Sequence, residues 1–355
     1  MSEKSYKIID LFAGIGGIRL GFEHAGAEKG IKINCVFSSD NDKYACKTYE
    51  KNYLNDDHDP YNDITKHDAN KIPEFDILLA GFPCQAFSIA GRRGGFEDTR
   101  GTLFFDVARI LKQHMPRAFL LENVKGFVNH RRGRTLDTVL NVLQEDLGYI
   151  STQYKIFNAK YFGVPQNRER IYIVGFKDCG GGFKFPTEKS VTKKLSDIIE
   201  EKPVSVKYYL SDVYVASMRK HRARHEAKGN GFGYEIRDYN DVANAIVVGG
   251  MGKERNLLVD KRLTDFTPVT NIKGKVNREG IRRMTPLEWE RLQGFPDNWT
   301  EGVADVQRYK QLGNSVAVPV IKALADNIIK ELTNPTPFVD QTTRQYLLEL
   351  ESEEA

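Results

Sequence analysis

The sequence predicts an α/β protein: a doubly wound, mostly parallel sheet joined to a second, smaller, loop-rich domain. Three observations carry this. Through the first half, apolar runs of strand length alternate with helix-period segments, the pattern of parallel strands joined by crossover helices. The first run opens into a glycine turn, Phe12-Ala13-Gly14-Ile15-Gly16-Gly17, at a strand's carboxyl end, where open α/β sheets bind ligands. After Phe176 the texture changes, and Gly180-Gly181-Gly182, Gly229-Asn230-Gly231-Phe232-Gly233 and Gly249-Gly250-Met251-Gly252 interrupt any long periodicity.

In chain order, strands are expected near 7–12, 33–38, 76–80, 118–121, 154–158 and 170–176, each a short apolar run. Helices are expected at 42–53, 103–114 and 135–147, the second with Leu103, Val107, Ile110 and Leu111 on one face. Thr285-Pro286-Leu287-Glu288 then reads as a capping box with proline in the first turn, starting a helix that stops near Gly294. A last amphipathic helix is expected over 316–332, with Val316, Val320, Leu324 and Ile328 at four-residue spacing. The expected division is 1–179 for the sheet domain, 180–275 for the loop-rich domain, 276–335 for a segment returning to the first domain, and 336–355 for an acidic tail.

Composition narrows the setting. The chain has 355 residues, 40% of them hydrophobic, enough for a real core. The N-terminal apolar stretch is too short for a secretory signal, and no membrane association is expected, so the expected location is the cytoplasm. Four cysteines without a CxxC pair argue against a disulfide framework and against structural zinc, so no metal is expected. Net charge is +4, but 207–275 holds 13 Lys/Arg against 8 Asp/Glu, with a dense run at Arg219-Lys220-His221-Arg222-Ala223-Arg224. Such a run suits a phosphate backbone or, equally, a solvated helix face.

Two strand ends carry candidate chemistry. Phe82-Pro83-Cys84-Gln85 follows the apolar run at 76–80, which places Cys84 better for reaction than Cys35, Cys46 or Cys179. By itself a cysteine there also suits a small buried hydrophobe. Glu122, at the end of the run at 118–121, would face the same crevice; partly desolvated, it could serve as a general acid or simply pair with a surface arginine. Asp40, just past the second strand, lies at a separation from the glycine turn that suits a ribose-binding carboxylate, or it caps the next helix.

Taken together, the motifs resemble the DNA (cytosine-5) methyltransferases. Six blocks stand in family order: Asp10 through Gly17, Gly81-Phe82-Pro83-Cys84-Gln85, Glu122-Asn123-Val124, Pro165-Gln166-Asn167-Arg168-Glu169-Arg170, Arg291-Leu292-Gln293-Gly294-Phe295-Pro296 and Gln311-Leu312-Gly313-Asn314-Ser315-Val316. The length is similar to that of the compact bacterial members of restriction-modification systems. The resemblance implies a Rossmann-like fold that binds S-adenosyl-L-methionine, with 180–275 as the target-recognition domain.

It also implies roles. Cys84 would add to C6 of a flipped cytosine, Glu122 would contact N3 and the exocyclic amine, and Arg168 and Arg170 would stabilise charge near the ring. For the cofactor, Phe12 would stack on adenine, Gly14, Gly16 and Gly17 would approach the methionine part, Asp40 would hold the ribose and Asp63 the adenine amine. Pro83, Asn314 and Ser315 would complete that pocket. Gln85, Arg92 and Arg93 would touch DNA from a loop after the nucleophile, and Arg237 and Arg255 are candidate guanine readers. The sequence departs from the family at Ala245-Ile246, where many relatives carry Thr-Leu.

The implied partner is double-stranded DNA, bound by a monomer, with a cognate restriction endonuclease that acts on the same site without forming a stable complex. A tRNA methylase is a rival reading, disfavoured by the sizeable 180–275 region. A catalytically silent DNA binder is disfavoured by the intact Cys84, Glu122, Arg168 and Arg170. A thiol hydrolase lacks a placed histidine, and a nicotinamide dehydrogenase lacks the third glycine of its fingerprint.

Overall fold

The computed structural model describes residues 4–83, 103–231, 233–249, 253–269 and 272–338. Its first part comprises β1 (Ser5–Leu11), α1 (Gly17–Glu28), β2 (Lys32–Ser39), α2 (Lys43–Asn52), β3 (Ile77–Gly81), α3 (Leu103–His114) and β4 (Ala118–Val124). The single turn α4 (Gly126–Asn129), then α5 (Arg134–Asn141), β5 (Gln153–Asn158), β6 (Gln166–Asn167) and β7 (Glu169–Phe176) follow. Beyond them lie α6 (Asp212–Glu226), β8 (Ala243–Asn244), β9 (Leu258–Val259), β10 (Ile281–Arg282), α7 (Pro286–Gln293), α8 (Asp305–Asn314) and α9 (Val318–Thr333).

All six long strands expected from the sequence pair in one sheet, in the order β2-β1-β3-β4-β7-β5. β2, β1, β3 and β4 are mutually parallel, whereas β7 runs antiparallel to both β4 and β5. The connection at 159–168 is too short for a helical crossover, so β7 returns beside β5 as a hairpin partner. Helices cover both faces, which is why Ile77, Leu78, Leu79 and Ala80 are all fully buried instead of alternating with polar residues. On one face Ile8, Phe22, Leu120, Ile321 and Leu324 pack together; on the other, Ile9, Leu78, Phe104, Leu111 and Val139 do.

Several local signals fold as read. Thr285 accepts from the Glu288 amide while the Glu288 carboxylate accepts from the Thr285 amide, Pro286 stands in the first turn, and Gly294 ends α7 in the left-handed region. The helix expected at 135–147 is α5 running on into a π-turn at Val142–Asp146. α1 carries no sequence signal because it contains Gly21, which reads as a breaker. That glycine is needed for contact: a methyl group there would fall 2.6 Å from Ile321, so α1 and α9 pack backbone to side chain. The stretch Asp305–Thr333 has the length and apolarity of a membrane span, but it is two helices, α8 and α9, and most of it is buried in the core.

The region beyond Phe176 is built from turns, two-residue strands and α6. The basic run at 219–224 lies on α6, which buries only Val215 and Met218. Charge replaces much of the missing core here. Arg282, fully buried, donates two bonds of 2.8 Å to Glu288 and one of 2.9 Å to Asp260, which Arg262 also holds.

Candidate active site

A cleft of about 710 Å³ opens at the carboxyl ends of β1 to β4 and is closed from the far end of the chain by the 310–316 segment. Parallel strands aim their last residues at this edge, so residues distant in sequence converge without local patterning.

One wall is the glycine turn. Phe12 sits at φ 54°, a left-handed conformation that costs a non-glycine residue roughly 1–2 kcal/mol, and it lines the cleft. The Gly14 amide donates to Asp40 Oδ2 at 2.8 Å, and the Asp42 amide donates to Asp40 Oδ1 at 2.8 Å. Asp40 therefore braces the turn, while Asp42 is the residue that caps α2. Burial pushes the Asp40 carboxyl up, opposed by those backbone donors. Gly16 and Gly17 are required sterically: a methyl at Gly16 would collide with the Tyr53 ring, and one at Gly17 would lie 2.9 Å from Phe295, Ser315 and Val316. Gly14 and Gly17 line the cleft; Gly16 supports it from behind, where its carbonyl accepts from the Tyr53 hydroxyl at 2.9 Å.

Asp63, Asn314 and Ser315 also line the cleft. Asp63 accepts from the Thr65 hydroxyl at 2.6 Å and pairs with Lys66 at 3.0 Å, and these hold its carboxyl below the usual range. Asn314 ends α8 and does not cap α9, whose N-terminal flank is Ala317.

The other wall is chemical. The register sets Gly81 of β3 beside Glu122 of β4, and Val124 of β4 beside Arg170 of β7. Glu122 Oε1 meets Arg170 Nε at 3.1 Å, with both side chains largely buried. Burial raises the Glu122 pKa, and the nearby Arg170 and Arg168 oppose the rise. Asn123, quoted in the sequence motif without a role, donates from Nδ2 to the Phe82 carbonyl at 2.9 Å and so ties the end of β3 to the end of β4. Pro83 lines the cleft; Cys84, which follows it, lies outside the described residues, as do Gln85, Arg92 and Arg93.

Arg168 behaves differently from Arg170. Its guanidinium donates to the carbonyls of Ile246 (2.8 Å), Gly313 (3.3 Å) and Ser315 (2.5 Å). Buried, and beside Arg170, it is pushed down to about 9. Gln166 accepts from the Ile246 amide at 3.0 Å and donates to the Leu292 carbonyl, while Gln293 donates to the Leu312 carbonyl at 2.8 Å. Both ends of the Ile246 peptide unit are thus held through the main chain, so the replacement of Thr-Leu by Ala245-Ile246 leaves these bonds available. Arg237 and Arg255 lie away from the cleft, both paired with Glu235; Arg255 bonds it at 3.1 Å and is half exposed, while Arg237 also donates to the Val242 carbonyl at 2.6 Å.

Two strand-end walls with an acid and an arginine on one side and a braced glycine turn on the other fit group transfer from a nucleoside-containing donor. Comparison with known proteins decides the chemistry. A model of the C-5 cytosine-specific DNA methylase family matches residues 6–330. The chain belongs to that family. This methylase is 60% identical over 335 residues to the type II methyltransferase M.HpaII of Haemophilus parainfluenzae, covering 93% of this chain and 91% of that one. It is 46% identical over 332 residues to the type II methyltransferase M.SsoII of Shigella sonnei, covering 92% and 81%. Its fold is similar to the solved structures of the Entamoeba histolytica methyltransferase EhMeth (TM-score 0.68, 19% identity) and the S. pombe Dnmt2 methyltransferase (TM-score 0.70, 17% identity). Each comparison covers 93% of this chain and 99% of the other. The methylase is a DNA cytosine-5 methyltransferase, related to type II restriction-modification enzymes.

Proposed function

We propose that this methylase modifies one cytosine within a short recognition sequence in double-stranded DNA, through a covalent adduct between Cys84 and cytosine C6. The observation that carries the reading is the Glu122–Arg170 pair at the cleft wall, set in register with Gly81 and so with the Phe82-Pro83 segment that delivers Cys84. S-adenosyl-L-methionine supplies the activated methyl group when bound in the cleft. The cleft fits it: a braced glycine turn, the cleft-lining Phe12 and the Asp40 carboxylate meet a nucleoside and an amino-acid part, with Asp63, Pro83, Asn314 and Ser315 around them.

A cytosine inside a duplex cannot reach a strand-end thiol, so the base is extruded into the cleft. The Cys84 thiolate adds to C6, and electron density moves through the ring towards C5 and N3. Glu122, its carboxyl raised by burial, provides the proton or hydrogen bond at N3 that makes this addition favourable. Arg170 holds Glu122 through Oε1, which leaves the other oxygen to carry the proton, and presents a cation beside the ring. C5, now nucleophilic, would take the methyl group as the donor's S–CH3 bond breaks and its sulfonium leaves as the neutral thioether; loss of the C5 proton and departure of the Cys84 sulfur then restore the aromatic ring and the free thiol. Arg168 serves by bracing Ile246 against the 313–315 segment.

Residues 180–275 act as the target-recognition domain, 276–335 as the segment completing the catalytic domain, and Gln85, Arg92, Arg93, Arg237 and Arg255 as DNA contacts. Of the two guanine candidates Arg255 is the more accessible. The enzyme works as a cytoplasmic monomer that protects host DNA from an endonuclease acting on the same sequence. Bisulfite sequencing of plasmid from cells expressing the chain, beside Cys84→Ala, tests this. Methylcytosine in one recurring motif, absent from the variant, is expected. An unmarked plasmid from cells holding soluble protein that still binds S-adenosyl-L-methionine would reject DNA as the substrate.

A further inference from the structure

We propose that the loop 130–134 forms a phosphate-binding rail that grips the duplex backbone from the sheet side of the cleft without reading bases. The inference rests on the DNA-methylating role above. Val124, the last residue of β4, lines the cleft, and the chain passes from it through Lys125 and α4 to His130-Arg131-Arg132-Gly133-Arg134 at the start of α5. The loop therefore follows, six residues on, the end of β4 that lines the cleft.

Three features distinguish it. From Lys125 to Leu136 there are four Lys/Arg and no Asp or Glu, with Asp137 next in the chain, and Lys125 pairs with Glu169 at 2.8 Å. Arg131, Arg132 and Arg134 are exposed, and among the described residues none has a side-chain hydrogen bond or ion pair. Other exposed arginines are paired, as Arg219 is with Glu279, Arg222 with Glu226 and Arg255 with Glu235, although Arg224 on α6 is not. The backbone adds a second argument. Arg131 (φ 51°), Arg132 (φ 60°) and Gly133 (φ 87°) are three successive left-handed residues. Glycine or asparagine would adopt that turn with less strain, so the turn itself gives no reason for two arginines.

The rail has a firm base. Thr135 is fully buried, its hydroxyl meets His130 Nδ1 at 2.6 Å, and Leu136 and Val139 enter the core beneath the sheet. Exposed guanidinium groups close together in the chain suit the regular phosphates of a backbone, and contacts to phosphate carry no base information. Such a contact would hold the duplex steady while a base leaves the stack, a step that otherwise lets the helix roll.

The test is the salt dependence of duplex binding by the full chain. Each lost phosphate contact lowers the magnitude of the slope of log K against log salt by about 0.9, so a variant with Arg131→Asn, Arg132→Asn and Arg134→Gln should lose up to about 2.7. Asparagine tolerates the left-handed turn, and a companion with all three arginines changed to lysine should retain most of the slope. Melting temperature and S-adenosyl-L-methionine binding are expected to match the unmodified protein, and the methylated sequence should not change. A slope equal to that of the unmodified chain overturns the rail, as does a change in which sequence is methylated. Failure of the underlying reading is separate: then the unmodified chain itself leaves duplex DNA unmethylated.

Discussion

Between β1 and β7, cohesion comes from apolar strands buried on both faces: Ile77, Leu78, Leu79, Ala80, Phe119, Leu120 and Leu121 are all without exposure. Across 204–282 two apolar clusters are small, Ala243, Ile246 and Leu258 join a larger one, and a fully buried arginine, Arg282, stands between Asp260 and Glu288. The sheet region can hold catalytic groups rigidly because its packing is insensitive to sequence detail at the strand ends. The region beyond it is held by directional bonds, which leave its outer surface free to vary in charge and shape.

That comparison can be broken at its strongest point first. Cys84→Ala should abolish methyl transfer while leaving the unfolding transition where it was, read by methyl incorporation and by thermal melting. Glu122→Gln should lower kcat by about 10²–10⁴-fold. Because burial raises the Glu122 carboxyl above its unfolded value, the acid form persists to higher pH in the folded protein, and whatever stability it contributes is lost as pH rises through the folded value. The pH–rate profile of the unmodified enzyme should therefore fall on its alkaline side as Glu122 ionises, and the Gln variant should lack that limb. A variant with full activity would remove Glu122 from the mechanism.

The other region should fail differently. Arg282→Met leaves Glu288 buried without its cation and Asp260 with Arg262 alone, which is expected to cost about 3–5 kcal/mol in denaturant unfolding. A loss below about 1 kcal/mol would show that this region does not depend on its ion pairs.

The smallest effect sharpens the contrast, because the sheet contains one exception to its apolar rule. Asp10, fully buried, has no hydrogen-bond partner on either oxygen among the described residues, and burial raises its pKa well above normal. Its neighbour Arg19 is already taken by Asp56 at 2.5 and 2.8 Å and by Glu23 at 2.6 Å. A carboxyl raised in the folded state makes folding less favourable as pH climbs from the unfolded value to the folded one. Asp10→Asn should therefore gain on the order of 1 kcal/mol at neutral pH, and the gain should vanish below about pH 4. A loss of stability at neutral pH would mean that the ionised carboxylate is used.

The same division explains what the sequence revealed. Strands buried on both faces leave continuous apolar runs, so all six were legible, and Asp40 and Glu122 could be singled out because they stand at the ends of such runs. The helix α1 was hidden because Gly21, needed for contact with Ile321, reads as a breaker. The architecture beyond Phe176 was hidden because a bond such as Arg282 to Asp260 spans 22 residues and leaves no periodic trace. The amides that frame the site were opaque for a related reason. Asn123 reaches the Phe82 carbonyl across 41 residues and Gln166 the Leu292 carbonyl across 126, and no local pattern announces either.

The central claim is that the thiol following Phe82-Pro83 attacks cytosine C6 with Glu122 and Arg170 beside the ring. Release of the enzyme requires loss of the C5 proton, so a duplex carrying 5-fluorocytosine at the methylated position should trap it. In the presence of S-adenosyl-L-methionine, the account predicts a denaturation-resistant protein–DNA species whose cross-linked peptide, by mass spectrometry, carries the nucleotide on Cys84. A cross-link on Cys35, Cys46 or Cys179, or methylation of ordinary cytosine with no trapped species from the fluorinated duplex, would contradict it.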